Sequence, residues 1–171
     1  MVATIVEAAT RILGTRGWAR FTTNEVAQVA GISVGSLYQY FPHKLALAEA
    51  IRQHHLDAVL GVLAASADAA TRDDSVARLV DGVIAAHAVD PALHRVLLED
   101  VPLVDRSIYA AFEEAYQCRY RAVVGGDAMA GHVLSAAVEG VVHAAARHGQ
   151  LASPRLKAEL GHLVRGYLRE R

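Results

Sequence analysis

Residues 31–41, GISVGSLYQYF, gather Ser33, Ser36, Tyr38, Gln39 and Tyr40 with Gly31 and Gly35 and carry no charged side chain. Hydroxyls, phenols and an amide in so short a run suit hydrogen-bonded recognition of a polar partner. Bond-making chemistry has less to stand on. GISVGS lacks the lysine and the spacing of a phosphate-binding nucleotide loop. The chain has no nucleophile elbow, no zinc-protease helix and no carboxylate pair whose placement follows from spacing. No catalytic residue is assigned, and an enzyme is not expected. Among nine histidines, His54 and His55 are adjacent and diverge on a helix, while Glu139 and His143 stand one turn apart and supply only two ligands. A tetrahedral metal site takes at least three protein ligands, so neither a metal site nor a cofactor is expected. Cys118, the single cysteine, excludes an intrachain disulfide and reads as a buried thiol rather than a redox sensor.

The polar run needs a scaffold, and its flanks carry helical signals. Ile5, Ala8, Ala9, Ile12 and Leu13 recur at a helical period, with Gly14 and Gly17 punctuating the end. Thr22 stands three residues before Glu25, a capping box opening a second helix through Val26, Ala27, Val29 and Ala30 that stops at Gly31. Ser33 can cap a third short helix, with Leu37 and Phe41 on one side and Pro42 at its end. A longer apolar pattern from Lys44 through Leu47, Ala48, Ile51, Leu56, Val59 and Leu60 is expected to link two domains before fading in polar residues 66–74. Asp74, Asp90 with Pro91, and Ser153 with Pro154 mark later helix starts, and Gly125, Gly126 and Asp127 separate two others. The expectation is an all-α fold of about nine helices and no strand.

Composition agrees. Over 171 residues the chain is 53% hydrophobic, rich in Ala, Leu and Val, and has only four prolines, which favours helices around a sizeable core. The N-terminal residues lack the basic start and unbroken apolar run of a signal peptide, and polar residues interrupt every apolar run short of the roughly 18 residues of a membrane span. No membrane association is expected, and the lone cysteine suits a reducing cytoplasm. Net charge is −1, but the front holds Arg11, Arg16, Arg20, Lys44 and Arg52 against Glu7, Glu25 and Glu49. That mild basicity fits either a solvated surface or a polyanion partner.

Ala27, Gly31 four residues on and Leu37 ten residues on have the spacing of a helix-turn-helix: a small residue at the helix contact, a glycine at the turn, an apolar anchor from the second helix. The outer face of that second helix can then lie in a DNA major groove. On these residues, FTTNEVAQVAGISVGSLYQYFPHKLAL resembles the DNA-binding segment of the TetR (AcrR-type) family of transcriptional regulators. The resemblance implies a DNA-binding domain over 1–45 and a ligand-binding and dimerisation domain over 46–171. It implies a homodimer on double-stranded, palindromic operator DNA, released when a small-molecule effector enters the C-terminal domain. It also implies roles: Thr22 and Thr23 near phosphates, Ser33, Val34, Gly35 and Ser36 nearest the base edges, and Tyr38, Gln39 and Tyr40 on phosphates or an adjacent base. Lys44 would pair with backbone phosphate, while Leu37 and Phe41 would be internal.

Two departures qualify the resemblance. His43 stands where the family has a small polar residue, so a weaker cap on the fourth helix is expected, with a histidine able to meet phosphate itself. The chain also begins inside helix one without the basic arm that often precedes it, and the expectation is either weaker binding through reduced counterion release or a trimmed chain.

The C-terminal part carries softer signals. Ala130, Ala137, Gly140 and Ala144 mark a small-residue face for either dimerisation or ordinary packing. His87, Tyr109, Phe112, Tyr116 and His143 combine apolar bulk with isolated polar groups, as small-molecule pockets do, and fit a largely apolar effector. The competing functional reading is a TetR-like helical interaction module or co-regulator without ligand-controlled DNA binding.

Overall fold

The computed structural model describes residues 1–65, 71–103 and 107–169. The end of the polar 66–74 stretch is thus visible, but 66–70 lie outside the described residues. Among the described residues are nine α-helices and no strand: α1 (Val2–Arg16), α2 (Thr23–Ala30), α3 (Val34–Tyr40), α4 (Lys44–Ala65), α5 (Arg72–Ala88), α6 (Pro91–Glu99), α7 (Ser107–Val123), α8 (Ala128–Arg147) and α9 (Pro154–Arg169), with one 3-10 turn at Trp18–Arg20. The fold is all-α, as expected.

The helices form two compact units, one of Met1–Asp57 with Asp90–Arg106, the other of Ala58–Val89 with Ser107–Arg171. This partition differs from the 1–45 and 46–171 division read from sequence, for a packing reason. Leu47, Ala48 and Ile51 of α4 and Leu93, Val96 and Leu97 of α6 share the core of α1–α3.

In the first unit, Ile5, Ala9, Ile12 and Leu13 bury one face of α1. Of the two glycines expected to punctuate its end, Gly14 lies within the helix, and α1 runs to Arg16 and is stopped by Gly17, whose φ of 71° favours glycine. Asp90 caps α6 by accepting from the Leu93 amide at 2.9 Å, with Pro91 in the first turn. Arg52, counted above among the basic front, is fully buried. It pairs with Glu49 and donates to the carbonyls of Leu97 and Val101 at 3.2 Å each, so its charge is spent closing the end of α6.

The second unit packs α5, α7, α8 and α9 with the last turns of α4 around Val80, Val83, Tyr120, Leu134, Val138, Val142, Leu160 and Val164. The cap of α5 is Thr71, which accepts from the Asp74 amide at 3.1 Å; Asp74 lies in the first turn rather than before it. Asp127, expected only as part of a break, caps α8, and Ser153 caps α9 as expected. At Gly131 a Cβ would meet the Arg121 backbone nitrogen at 3.1 Å, so the close approach of α7 and α8 at this point depends on that glycine. By length and a mean hydropathy of 1.2 over 18 residues, α8 is apolar enough to cross a membrane. Packing accounts for part of that apolarity, since Ala130, Leu134, Val138 and Val142 are buried within the unit.

Candidate nucleic-acid interface

Two short helices build the site. Thr22 caps α2 by accepting the Glu25 amide at 3.3 Å, although the Glu25 carboxylate turns to Arg16 at 3.2 Å instead of closing a reciprocal box. The helix ends at Gly31 (φ 71°, ψ 30°), with Ile32 N–H donating to the Ala27 carbonyl at 3.0 Å and Gly31 N–H to that of Gln28 at 3.2 Å. This left-handed stop satisfies two end carbonyls and turns the chain sharply into α3. Ser33 then caps α3 by accepting the Ser36 amide at 3.0 Å. Ala27, Leu37 and Phe41 are buried, as their spacing required.

With its apolar anchors inside, α3 shows its polar side chains outward. Ser33, Gly35, Tyr38, Gln39 and Tyr40 are exposed, and Val34 and Ser36 half-buried. These groups are partly preorganised by one another. The Ser33 and Ser36 hydroxyls are 2.8 Å apart, and the Tyr38 hydroxyl lies 3.1 Å from the Thr23 hydroxyl, tying α3 to the start of α2. An added Cβ at Gly35 would touch only Ser33 Oγ, at 3.8 Å. The fold itself therefore leaves space in front of Gly35.

At the edge of this surface, the expected weak cap on α4 is not what the residues form. His43 Nδ1 accepts the Ala46 amide at 3.0 Å, which in the neutral ring places the proton on the exposed Nε2 side as a donor. Lys44 is half-buried. Its ammonium donates to the Trp18 carbonyl at 2.7 Å and sits 3.8 Å above the Trp18 ring centroid, and burial lowers its pKa from the ordinary lysine value. Sequence reasoning missed Trp18, because no local signal links it to a lysine 26 positions later. With Arg16, Lys44 and Arg52 engaged, Arg11 and Arg20 remain as exposed arginines of the front.

The five residues read as a pocket all lie on helices of the second unit, two of them in aromatic contact on α7 and two in contact between α5 and α8. Phe112 stacks on Tyr116, with centroids 5.6 Å apart, and the Tyr116 hydroxyl is 3.1 Å from that of buried Tyr120, whose pKa burial pushes up. His87 and His143 meet with ring centroids 4.8 Å apart, and Glu139 Oε2 lies 3.2 Å from His87 Nε2 and 3.5 Å from His143 Nε2. Burial pulls the His87 pKa down, but the hydrogen bond and charge of Glu139 leave it raised; burial holds that of His143 below its ordinary value despite Glu139. Tyr109 is half-buried on α7. A cavity of about 530 Å³ in the same unit is lined by Leu60 and Ala64 of α4, Ser75 and Leu79 of α5, and Ala115, Cys118, Arg119, Ala122 and Val123 of α7. Cys118 is exposed, not buried as expected.

The small-residue face of α8 divides. Ala130 is fully buried within its own unit, whereas Ala137 and Gly140 are exposed and Ala144 half-buried along a shallow groove shared with Val141, His148 and Leu156. Met129, Val133 and Val141 on α8 and Leu163 on α9 are large apolar side chains left exposed.

Residues 5–51 match the family described as bacterial regulatory proteins, tetR family, and residues 71–168 match the tetracyclin repressor-like C-terminal domain. No curated protein matches the sequence. Similar solved structures include the multidrug binding protein EbrR complexed with imidazole, with a TM-score of 0.77 at 20% identity over 97% of this chain and 93% of that one. The transcriptional regulator FadR from Bacillus subtilis in complex with stearoyl-CoA has a TM-score of 0.74 at 15% identity, covering 98% of each chain. A TetR-like transcriptional regulator from Rhodococcus sp. RHA1 has a TM-score of 0.74 at 17% identity, over 99% of this chain and 96% of that one. At these identities the structures bear on fold alone, but the family matches together span most of the chain and coincide with the helix-turn-helix just described. The protein belongs to the TetR family of transcriptional regulators, with an N-terminal helix-turn-helix and a tetracyclin repressor-like C-terminal domain.

Proposed function

We propose that this regulator is a homodimeric repressor whose α3 reads palindromic double-stranded operator DNA in the cytoplasm, and that a small, largely apolar effector releases it. The observation that carries the reading is the outward polar face of α3 over the buried anchors Ala27, Leu37 and Phe41. In the groove, Ser33, Val34, Gly35 and Ser36 would lie nearest base edges, with Gln39 on an adjacent base. Thr22, Thr23, Tyr38, Tyr40, His43 and Lys44 would hold phosphates through hydroxyls, ring N–H, ammonium and the amides opening α2.

The exposed apolar residues of α8 and α9 support dimerisation, because leaving them in water forfeits about 1.5–3 kcal/mol for each large side chain that a partner could cover. The groove along Ala137, Gly140 and Ala144 would admit a close helix from a second copy. For the effector, the cavity lined by Leu79, Ala115, Cys118 and Arg119 is in the size range of small-molecule sites, and Arg119 suits an anionic group on an otherwise apolar molecule. Since Leu60 and Ala64 of that cavity belong to the same helix that begins at Lys44, effector binding would act by favouring one position of α4 over another.

Gel shift or anisotropy on the gene's own upstream DNA, at several salt concentrations, tests the reading. Sequence-preferring binding is expected; full-length protein without preference would overturn it. The engagement of Arg16, Lys44 and Arg52 within the fold favours a second reading, a TetR-like co-regulator or interaction module without ligand-controlled DNA binding, and that same null result would support it.

A further inference from the structure

We propose that His87, Glu139 and His143 form a three-ligand site for a divalent transition-metal ion of the zinc class. Glu139 and His143 lie one turn apart on one side of α8, and α5 brings His87 to them. This supplies the third ligand that the sequence spacing could not reveal. Glu139 Oε2 is 3.2 Å from His87 Nε2 and 3.5 Å from His143 Nε2. A tetrahedral shell with metal–ligand bonds of about 2.0–2.1 Å has edges of about 3.4 Å, so both separations suit ligands of one ion.

The hydrogen-bond chemistry points the same way. His87 Nδ1 lies 2.8 Å from the Val83 carbonyl, which can only accept, so Nδ1 carries a proton. In the neutral ring the lone pair is then on Nε2, which faces a carboxylate oxygen. Two lone pairs at that distance repel unless a positive charge joins them. A backbone carbonyl on the far ring nitrogen is also how metal-bound histidines are commonly oriented. Protons can join each imidazole separately to Glu139 Oε2, whereas one metal ion joins both imidazoles and the carboxylate together. Glu139 Oε1, meanwhile, is buried without a hydrogen-bond partner, which makes neutralisation of this carboxylate by a cation more favourable. Histidine nitrogen with one carboxylate selects zinc, cobalt or nickel over magnesium or calcium, and three ligands leave a fourth position for water or another donor.

The test uses the full, tag-free chain titrated with zinc by calorimetry and with cobalt by visible absorption. One ion per chain is expected, with the intense absorption of four-coordinate cobalt. Glu139→Gln and His143→Ala should each weaken zinc binding by roughly tenfold or more, with unchanged far-ultraviolet circular dichroism without metal. Nitrogen-detected histidine spectra of the unmutated chain keep the test decisive if a variant fails to fold: zinc should first shift His87 and His143. No binding at micromolar zinc, binding indifferent to both substitutions, or first shifts at the His55–His94 pair or at exposed histidines would overturn the proposal.

Discussion

The outward faces of α3 and α8 are both unusual, and in opposite ways. On α3 the exposed side chains are polar and already bonded to neighbours, Ser33 to Ser36 and Tyr38 to Thr23, so the face can stand in water at little cost until a polar partner arrives. On α8 the exposed side chains include Met129, Val133 and Val141 beside Ala137 and Gly140, an apolar stripe that offers water no side-chain hydrogen bond. The contrast separates a surface suited to reversible contact from one suited to lasting cover, and in the proposed function DNA meets the first and a second protein copy the second.

The largest effect should come from placing a charge on the apolar face. Val133→Glu would bury an unpaired carboxylate in the proposed interface at about 3–5 kcal/mol, converting dimer to monomer in light scattering while the helical spectrum persists. A monomeric wild type at micromolar concentration would remove the second half of the contrast. Next is Leu37→Ala, which empties a fully buried position beneath α3 and should lower unfolding free energy by about 2–5 kcal/mol in a denaturant titration. Gly131→Ala should cost about 1–3 kcal/mol by the same measurement, because the Arg121 backbone cannot withdraw easily. Smaller again, Tyr40→Phe should weaken binding to all DNA sequences alike by about 1 kcal/mol, whereas Ser36→Ala should change which sequence is preferred. The reverse pattern in anisotropy would exchange their assigned roles.

What could be read from sequence was local. Thr22, Gly31, Ser33, Asp90 and Asp127 each act within a few residues of themselves, so spacing alone located the starts of α2, α3, α6 and α8 and the end of α2. Gly14 and Asp74 were misplaced for a related reason: a glycine tolerated inside a helix and an acid in its first turn look like boundaries until the neighbouring Gly17 and Thr71 are seen to perform the stop and the cap. His43 was misjudged because imidazole nitrogen can accept an amide as a hydroxyl does. Other differences lie in contacts between residues far apart in sequence. Nothing near Arg52 announces the carbonyls of Leu97 and Val101, nothing near Lys44 announces Trp18, and nothing near Glu139 announces His87. The cavity proposed for the effector is of this kind too, since α4, α5 and α7 each contribute small or apolar residues that are unremarkable on their own helices.

The claim that α3 meets DNA rests most directly on Gly35, where the fold leaves open space. Thermal melting and anisotropy on upstream DNA, run together for wild type and Gly35→Ala, separate folding from recognition. The account predicts a melt that is unchanged or raised, since alanine is favoured over glycine in a helix by up to about 1 kcal/mol, together with lost preference for the upstream sequence. Equal affinity and equal preference in the two proteins would contradict it.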